Sequence, residues 1–278
     1  MRENSPHKKS LDSAPAVPMP TKVPKLNAAT IQRIDASDMR DLLVHFPQQI
    51  EDAVKIGQEF PLNSDFSGIS TVVVTGLGGS AIAGDLLRSY LANEFKLPFI
   101  VNRHYFLPEF VGKDSLVVVS SYSGNTEETI AAHREAVKRG ARILCIASNG
   151  EIEKLAMQHK DLLIKIPKGY PPRAALAYSF FPMLIALVRA GIIKSRTRDI
   201  LETVALLKKK AKLYDNRTTS SNGALTIARW LKGKLPVIYS ATEHLDSVNL
   251  RWRTQLAENS KVLAFGNLLP EMNHNELV

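Results

Sequence analysis

From Thr71 to Pro167 the chain repeats one pattern. A short apolar run is followed by a turn rich in glycine or serine, and then by a stretch with helical spacing. "TVVVTG" leads into "GGSAIAGDLLRSYL", and "PFIVN" is a second apolar run. "SLVVVS" precedes a predicted helix over Thr126–Arg139, and "ARILCIAS" precedes one over Ile152–His159. "DLLIKIP" closes the series. The runs are continuous rather than alternating, as in parallel strands covered by helices on both faces. Right-handed crossovers then place the helices on the two sides of the sheet.

The flanking segments follow different patterns. Residues 1–25 are rich in Pro, Ser and Lys and read as a disordered tail. A polar, amphipathic helical segment is expected from about Asp35 to Glu59, interrupted or restarted at Pro47. "PRAALAYSFFPMLIALVRAG" reads as a long apolar helix stopped by Gly191. Two helical segments, about Ser195–Tyr214 and Ser221–Leu231, form a connector. A second α/β unit then opens with "LPVIYS", the helix "SVNLRWRTQLAENS" and the strand "KVLAFG". The predicted organisation is a tail (1–25), a first α/β unit with leading helices (26–194), and the connector with an incomplete second unit (195–278). Both units are expected to be flavodoxin-like, three-layer arrangements of parallel sheet and helices.

Composition narrows the function classes. The chain has 278 residues, 45% hydrophobic and 23% charged, an ordinary globular balance. It has no uninterrupted apolar run of membrane-spanning length and no apolar N-terminal segment of the secretory type. No membrane partner is expected, and a reducing cytoplasm is the expected setting. The single cysteine, Cys145, lies in an apolar run and reads as a core side chain. Its count allows no intrachain disulfide and, on that count, no Cys-based metal site. The net charge of +9 is dispersed and is not interleaved with aromatics, so no nucleic-acid partner is expected. A basic surface that draws in small anions fits equally well.

Two polar turns follow predicted strands. In "TGLGGSAIAG", Gly78, Gly79 and Ser80 lead into a helix whose free N–H groups attract anions. The glycine spacing loosely matches a dinucleotide fingerprint, but position 81 is alanine and no acidic residue closes the second strand. A plain turn remains a third reading. In "SSYSGNTEET", Ser121, Ser123 and Thr126 offer three hydroxyls around Gly124 and Asn125. Such a loop binds phosphate with hydroxyls, a backbone nest and the helix dipole, without Lys or Arg. Its simpler reading is a cap, with Ser123 or Thr126 closing the helix.

These two motifs and their spacing resemble a sugar isomerase (SIS) domain. "GYPPRAALAYSFFPML", "QLAENSKVLAF" and "LPEMNHNE" are similar to segments of the bifunctional phosphoglucose/phosphomannose isomerases, in the same order. The resemblance runs from about residue 35 to the end. It implies aldose–ketose isomerisation of sugar 6-phosphates through a cis-enediolate, with no metal and no cofactor. It implies Glu258 as the proton-shuttling base, Arg173 as the group stabilising the enediolate, and His274 as the ring-opening histidine. His274 would act in the neighbouring subunit, so a homodimer is implied. Gly79, Ser80, Ser121, Ser123 and Thr126 would contact sugar and phosphate. A carboxylate at the end of a helix beside a strand also suits a partly desolvated cleft. Without the motifs, Glu258 reads as a surface carboxylate, Arg173 as a first-turn charge and His274 as an inert histidine.

The family pattern continues past "NHNE" with elements that complete the second sheet and supply a lysine partner for the histidine. No residue up to Val278 takes that role. Unpaired strand edges are therefore expected in the second unit. Three readings compete: an isomerase, a sugar-phosphate-binding module without turnover, and a fragment with no function of its own.

Overall fold

The computed structural model describes residues 28–215 and 222–276. The expected tail, 1–25, lies outside the described residues. The described residues divide into two units, with the boundary between Ser37 and Asp38. The described part of the first contains helix α1 (Ala28–Ile34).

The second unit is built on a parallel sheet of five strands: β1 (Thr71–Thr75), β2 (Phe99–Asn102), β3 (Ser115–Ser121), β4 (Arg142–Ala147) and β5 (Leu162–Lys165). Their order is β2-β1-β3-β4-β5, with Val74 opposite Val118 and Val119 opposite Cys145. Alternate residues serve two cores. Val72, Val74, Leu116, Val118, Leu144 and Ile146 face one. Helices α3 (Phe46–Glu59), α4 (Gly78–Leu91) and α7 (Leu176–Arg189) cover that side. Val73, Val117, Val119, Ile143 and Cys145 face the other, under α5 (Glu127–Lys138) and α6 (Gly150–His159). Each buried aliphatic side chain is worth about 1.5–3 kcal/mol, so the middles of the strands are apolar and the buried polar positions, among them Thr75, Ser120 and Ser121, fall at the strand ends. This is why the strands read as unbroken apolar runs.

Cys145 is fully buried, and burial first, then the charge of Asp161, pushes its thiol up. It nevertheless lies near His133 and Asp161, with candidate ligand atoms all within 4.8 Å of one another. The cysteine count alone had excluded such mixed ligand sets, so that expectation was too strong. In this structure the His133 Nε2 is committed to Asp161 at 2.7 Å, and burial disfavours the thiolate that a metal would need, the bonding of a core pair.

Several boundaries moved for physical reasons. The Asp35–Glu59 segment contains α2 (Met39–Val44) and α3, with Pro47 in the first turn of α3, where its missing N–H costs nothing. The apolar helix begins as a 3₁₀ turn, Pro172–Ala174, before α7 proper. Gly191 takes the left-handed conformation (φ 71) that ends it. The connector forms α8 (Thr197–Asp215) and α9 (Gly223–Leu231). Asn222 caps α9 by accepting from Leu225 N at 3.0 Å.

The remaining elements form a βαβ motif: β6 (Val237–Ala241), α10 (Asp246–Gln255) and β7 (Phe265–Leu269). The two strands pair in parallel, Val237 opposite Phe265. The predicted strand over Lys261–Gly266 starts later than expected. A π-helical turn, Leu256–Ser260, extends α10, and Lys261 (φ 56) reverses the chain before the strand begins. Among the described residues each strand of this sheet has one unpaired edge, and Val237 and Phe265 are more than half exposed. Buried polar contacts seat α10 against α4. Ser89 Oγ donates to Asp246 Oδ1 at 2.8 Å, Ser247 Oγ to Ser89 Oγ at 2.9 Å, and Arg88 pairs with Asp246.

Candidate active site

In a sheet ordered 2-1-3-4-5 the connections leaving β1 and β3 run to opposite sides. They open a crevice at the C-terminal strand ends, where α/β proteins bind ligands. Both polar turns of the sequence lie there, after β1 and after β3.

At the first, Gly79 is pressed against the Arg173 turn. A Cβ at Gly79 would lie 2.6 Å from Pro172 O, closer than side chains are found. Ser80 is buried, and its Oγ accepts from Tyr122 N at 3.2 Å, tying the two turns together. That bond uses the oxygen and leaves the hydroxyl proton to donate.

In the second turn, Ser121 Oγ and Thr126 Oγ1 lie 3.1 Å apart, and Ser121 Oγ also accepts from Gly124 N at 3.2 Å. Ser123 Oγ accepts from Asn125 N at 3.3 Å. Thr126 stands at the N-cap position of α5, yet its side chain makes no capping bond. The simple capping reading therefore fails for Thr126. Helix α5 has no side-chain cap, so the N–H groups of its first turn remain available to an anion. Gly124 (φ 71) packs against Asn149 and Gly150 of the next connection. That packing is bonded by Ile152 N to Gly124 O at 2.9 Å and Glu151 N to Asn125 Oδ1 at 3.0 Å.

Arg173 sits on the 3₁₀ turn that Gly79 touches. Its Nε donates to Asn259 Oδ1 at 2.8 Å, and its main-chain oxygen accepts from Arg251 Nη2 at 2.5 Å. Burial pulls the Arg251 pKa down, and the nearby Glu258 charge opposes that shift. Glu258 belongs to the π-helical turn after α10, beside Asn259. Its side chain is exposed rather than held in the partly desolvated cleft expected from sequence. The turn carries it past the packed part of the helix.

The structure thus gathers Gly79, Ser80, Ser121, Ser123, Thr126 and Arg173, and links Arg173 to the turn bearing Glu258. It does not join His274 to them. That residue lies exposed on a 3₁₀ turn after β7, and its side chain makes no hydrogen bond or ion pair among the described residues. Sequence reasoning missed Arg251 and Asn259; the available signal was the four-residue spacing of Arg251, Gln255 and Asn259 along one helical side. An apolar cavity of about 270 Å³ lies elsewhere, lined by Phe46, Ile50, Phe180 and Ile200 among others. Its few polar side chains are Tyr90, Asp199 and Thr203, and the Tyr90 hydroxyl is already bonded to Asp199, so the chemistry points to the crevice instead.

A parallel sheet with a hydroxyl-rich turn at its switch point defines a doubly wound α/β protein built to hold a small anion, and similarity to known proteins narrows that class. Residues 66–192 match the SIS domain, and residues 220–278 match the bacterial phospho-glucose isomerase C-terminal SIS domain. A bifunctional phosphoglucose/phosphomannose isomerase from Caldicellulosiruptor bescii is 41% identical over 243 residues, covering 86% of this chain and 71% of that protein. One from Thermoplasma acidophilum is 37% identical over 207 residues, covering 74% of this chain and 61% of its own length. Among solved structures, the C-terminal domain of glucosamine-fructose-6-phosphate aminotransferase from Francisella tularensis shares the fold, with a TM-score of 0.62 at 18% identity. That match covers 85% of this chain and 71% of the other. The chain belongs to the family of bifunctional phosphoglucose/phosphomannose isomerases.

Proposed function

We propose that this chain interconverts glucose 6-phosphate and mannose 6-phosphate with fructose 6-phosphate, by proton transfer between C2 and C1 through a cis-enediolate. Aldose and ketose are isomers, so the reaction exchanges no net electrons and needs no redox partner. The phosphate is held by the hydroxyls of Ser121, Ser123 and Thr126 and by the first-turn N–H groups of α5. Gly79 and Ser80 bound the sugar from the β1 side. The Glu258 carboxylate takes the C2 proton, and the electrons of the C2–H bond form the enediolate double bond. Glu258 returns the proton to C1, and Arg173 balances the negative charge on the enediolate oxygens meanwhile. His274 opens the sugar ring from a second copy of the chain, in keeping with its exposed position apart from the other site residues.

The observation that carries this reading is the meeting of three segments distant in sequence. Ser80 bonds the backbone of the 121–126 turn, and Gly79 abuts the Arg173 turn at the switch point. The test is incubation of the purified chain with fructose 6-phosphate in EDTA, followed by chromatography of the aldose 6-phosphates. Both epimers should form, and Glu258→Gln should slow them by about 10²–10⁴. If Glu258→Gln turns over as fast as the wild type, the assignment of the base is wrong.

A second reading has its own support. Glu258 is exposed and His274 stands apart, which suits a sugar-phosphate-binding module without turnover. That reading expects saturable fructose 6-phosphate binding by calorimetry with no aldose product.

A further inference from the structure

Arg173 is gripped twice by one element. Arg251, on α10, bonds its main-chain oxygen at 2.5 Å. Asn259, two turns further along, accepts from its Nε at 2.8 Å. The Gln255 amide fills the space between these two residues. The residue before Asn259 is Glu258, so the element that holds Arg173 also carries the carboxylate.

Two physical consequences follow. A guanidinium can grip two oxygens either through its Nε edge or through its terminal Nη pair. With Nε spent on Asn259, the Nη end remains for a ligand; its one other contact is Nη2 to the weak acceptor Met39 Sδ at 4.0 Å, which an anionic oxygen would displace. Arg251, in turn, is a partly buried cation with no ion pair among the described residues, and its side chain reaches Arg173 O and Gln255. Burying a guanidinium without a carboxylate is costly, and neutral acceptors, here Arg173 O and the Gln255 amide oxygen, offset only part of that cost.

We propose that Asn259 and Arg251 are positioning residues, which fix Arg173 so that its terminal Nη pair faces the two enediolate oxygens at a set distance from Glu258. The proposal rests on the isomerase reading, since it gives Arg173 a charge to stabilise. Neither residue touches the reacting atoms. Asn259 acts through the Arg173 side chain and Arg251 through its backbone.

The test compares two ligands by calorimetry on the full chain. In 5-phosphoarabinonate a carboxylate stands where the enediolate oxygens form. In arabinitol 5-phosphate a neutral hydroxymethyl group takes that place. Wild type should prefer the carboxylate ligand by at least about tenfold, as charge-assisted bonds require. Arg173→Met should erase the preference. Asn259→Leu should erase most of it while leaving arabinitol 5-phosphate affinity and the melting temperature unchanged, because Asn259 is exposed. Asn259→Gln, which keeps an acceptor, should restore part of it. A residue that only packs two elements together would shift both affinities alike. If Arg173→Met erases the preference and Asn259→Leu keeps it, the positioning role is overturned and the isomerase reading stands. If Arg173→Met keeps the preference, or wild type binds neither ligand, the isomerase reading falls and this inference with it.

Discussion

Replacing Gly124 with alanine tests whether the 121–126 turn is held in shape by its neighbours. Two costs add. At φ 71 an alanine pays for the left-handed conformation, about 1–2 kcal/mol. Its Cβ would also lie 1.7 Å from Asn149 O and 2.7 Å from Asn149 C, both backbone atoms. The two connections must part by more than an ångström to admit it. That movement breaks or stretches Ile152 N to Gly124 O and Glu151 N to Asn125 Oδ1, each worth about 1 kcal/mol. The total is about 3–4 kcal/mol, a large share of the roughly 5–15 kcal/mol that keeps a domain folded. For a chain of this size it corresponds to a fall in melting temperature on the order of 10 °C. On the proposed function Ser121 and Ser123 hold the phosphate, and the same movement would carry them out of hydrogen-bond register with it, so fructose 6-phosphate affinity should fall at least about tenfold. Gly140→Ala is the control. That glycine also has positive φ (68), but a Cβ there meets nothing within 4 Å. It should lose only the conformational term of about 1–2 kcal/mol. Thermal melts and calorimetric titration of both variants decide the matter. A Gly124→Ala protein that melts no lower than Gly140→Ala, with unchanged affinity, refutes the reasoning.

Three further outcomes are expected. Thr126→Val should lower the melting temperature by no more than about 4 °C, because Thr126 makes no capping bond and loses only its contact with Ser121 Oγ, while weakening fructose 6-phosphate binding about tenfold; a larger stability loss would contradict this. Cys145 should resist iodoacetamide at pH 8 until denaturant is added, since burial and then Asp161 raise its pKa; labelling of the native protein would contradict the buried position. At Asp246, burial pushes the carboxyl up, but bonds from Arg88, Ser89 and the Ser247 N–H outweigh it and hold it below its ordinary 3.8. A lowered folded value means the unfolded chain binds that proton more readily, so the stabilisation is full above about pH 4 and is lost as pH falls through the folded value. Asp246→Asn should therefore show a shallower decline in stability below pH 4, and identical slopes for the two proteins would refute this.

The strands were legible because two-sided burial leaves a plain trace: each residue of Leu116–Val119 in β3 meets one core or the other, and no polar position interrupts that run. The turns were legible for a related reason, since hydroxyls and glycines crowded between a buried strand and a helix have few structural uses. Strand order was not legible, because pairing β1 with β3 depends on contacts between distant residues. The strand start at Phe265 was missed because Val262, Leu263 and Ala264 share its apolar character, and a π-helical turn has no residue signature. The grip of Arg251 and Asn259 on Arg173 joins segments more than seventy residues apart, and the His133–Cys145–Asp161 group joins the middle of α5, a strand and the residue after the C-cap of α6. Such groupings exist only after folding. The family motifs picked out Glu258, but its exposure depends on how α10 ends.

The most direct measurement of the central claim is solvent deuterium exchange. The purified chain is incubated with fructose 6-phosphate in D₂O and EDTA, and NMR follows deuterium at C2 of glucose 6-phosphate and mannose 6-phosphate. Proton transfer through an enediolate predicts deuterium at C2 of both products, and its loss in Glu258→Gln. Folded, ligand-binding protein that leaves C2 and the substrate unlabelled would contradict the account and leave a binding module in its place.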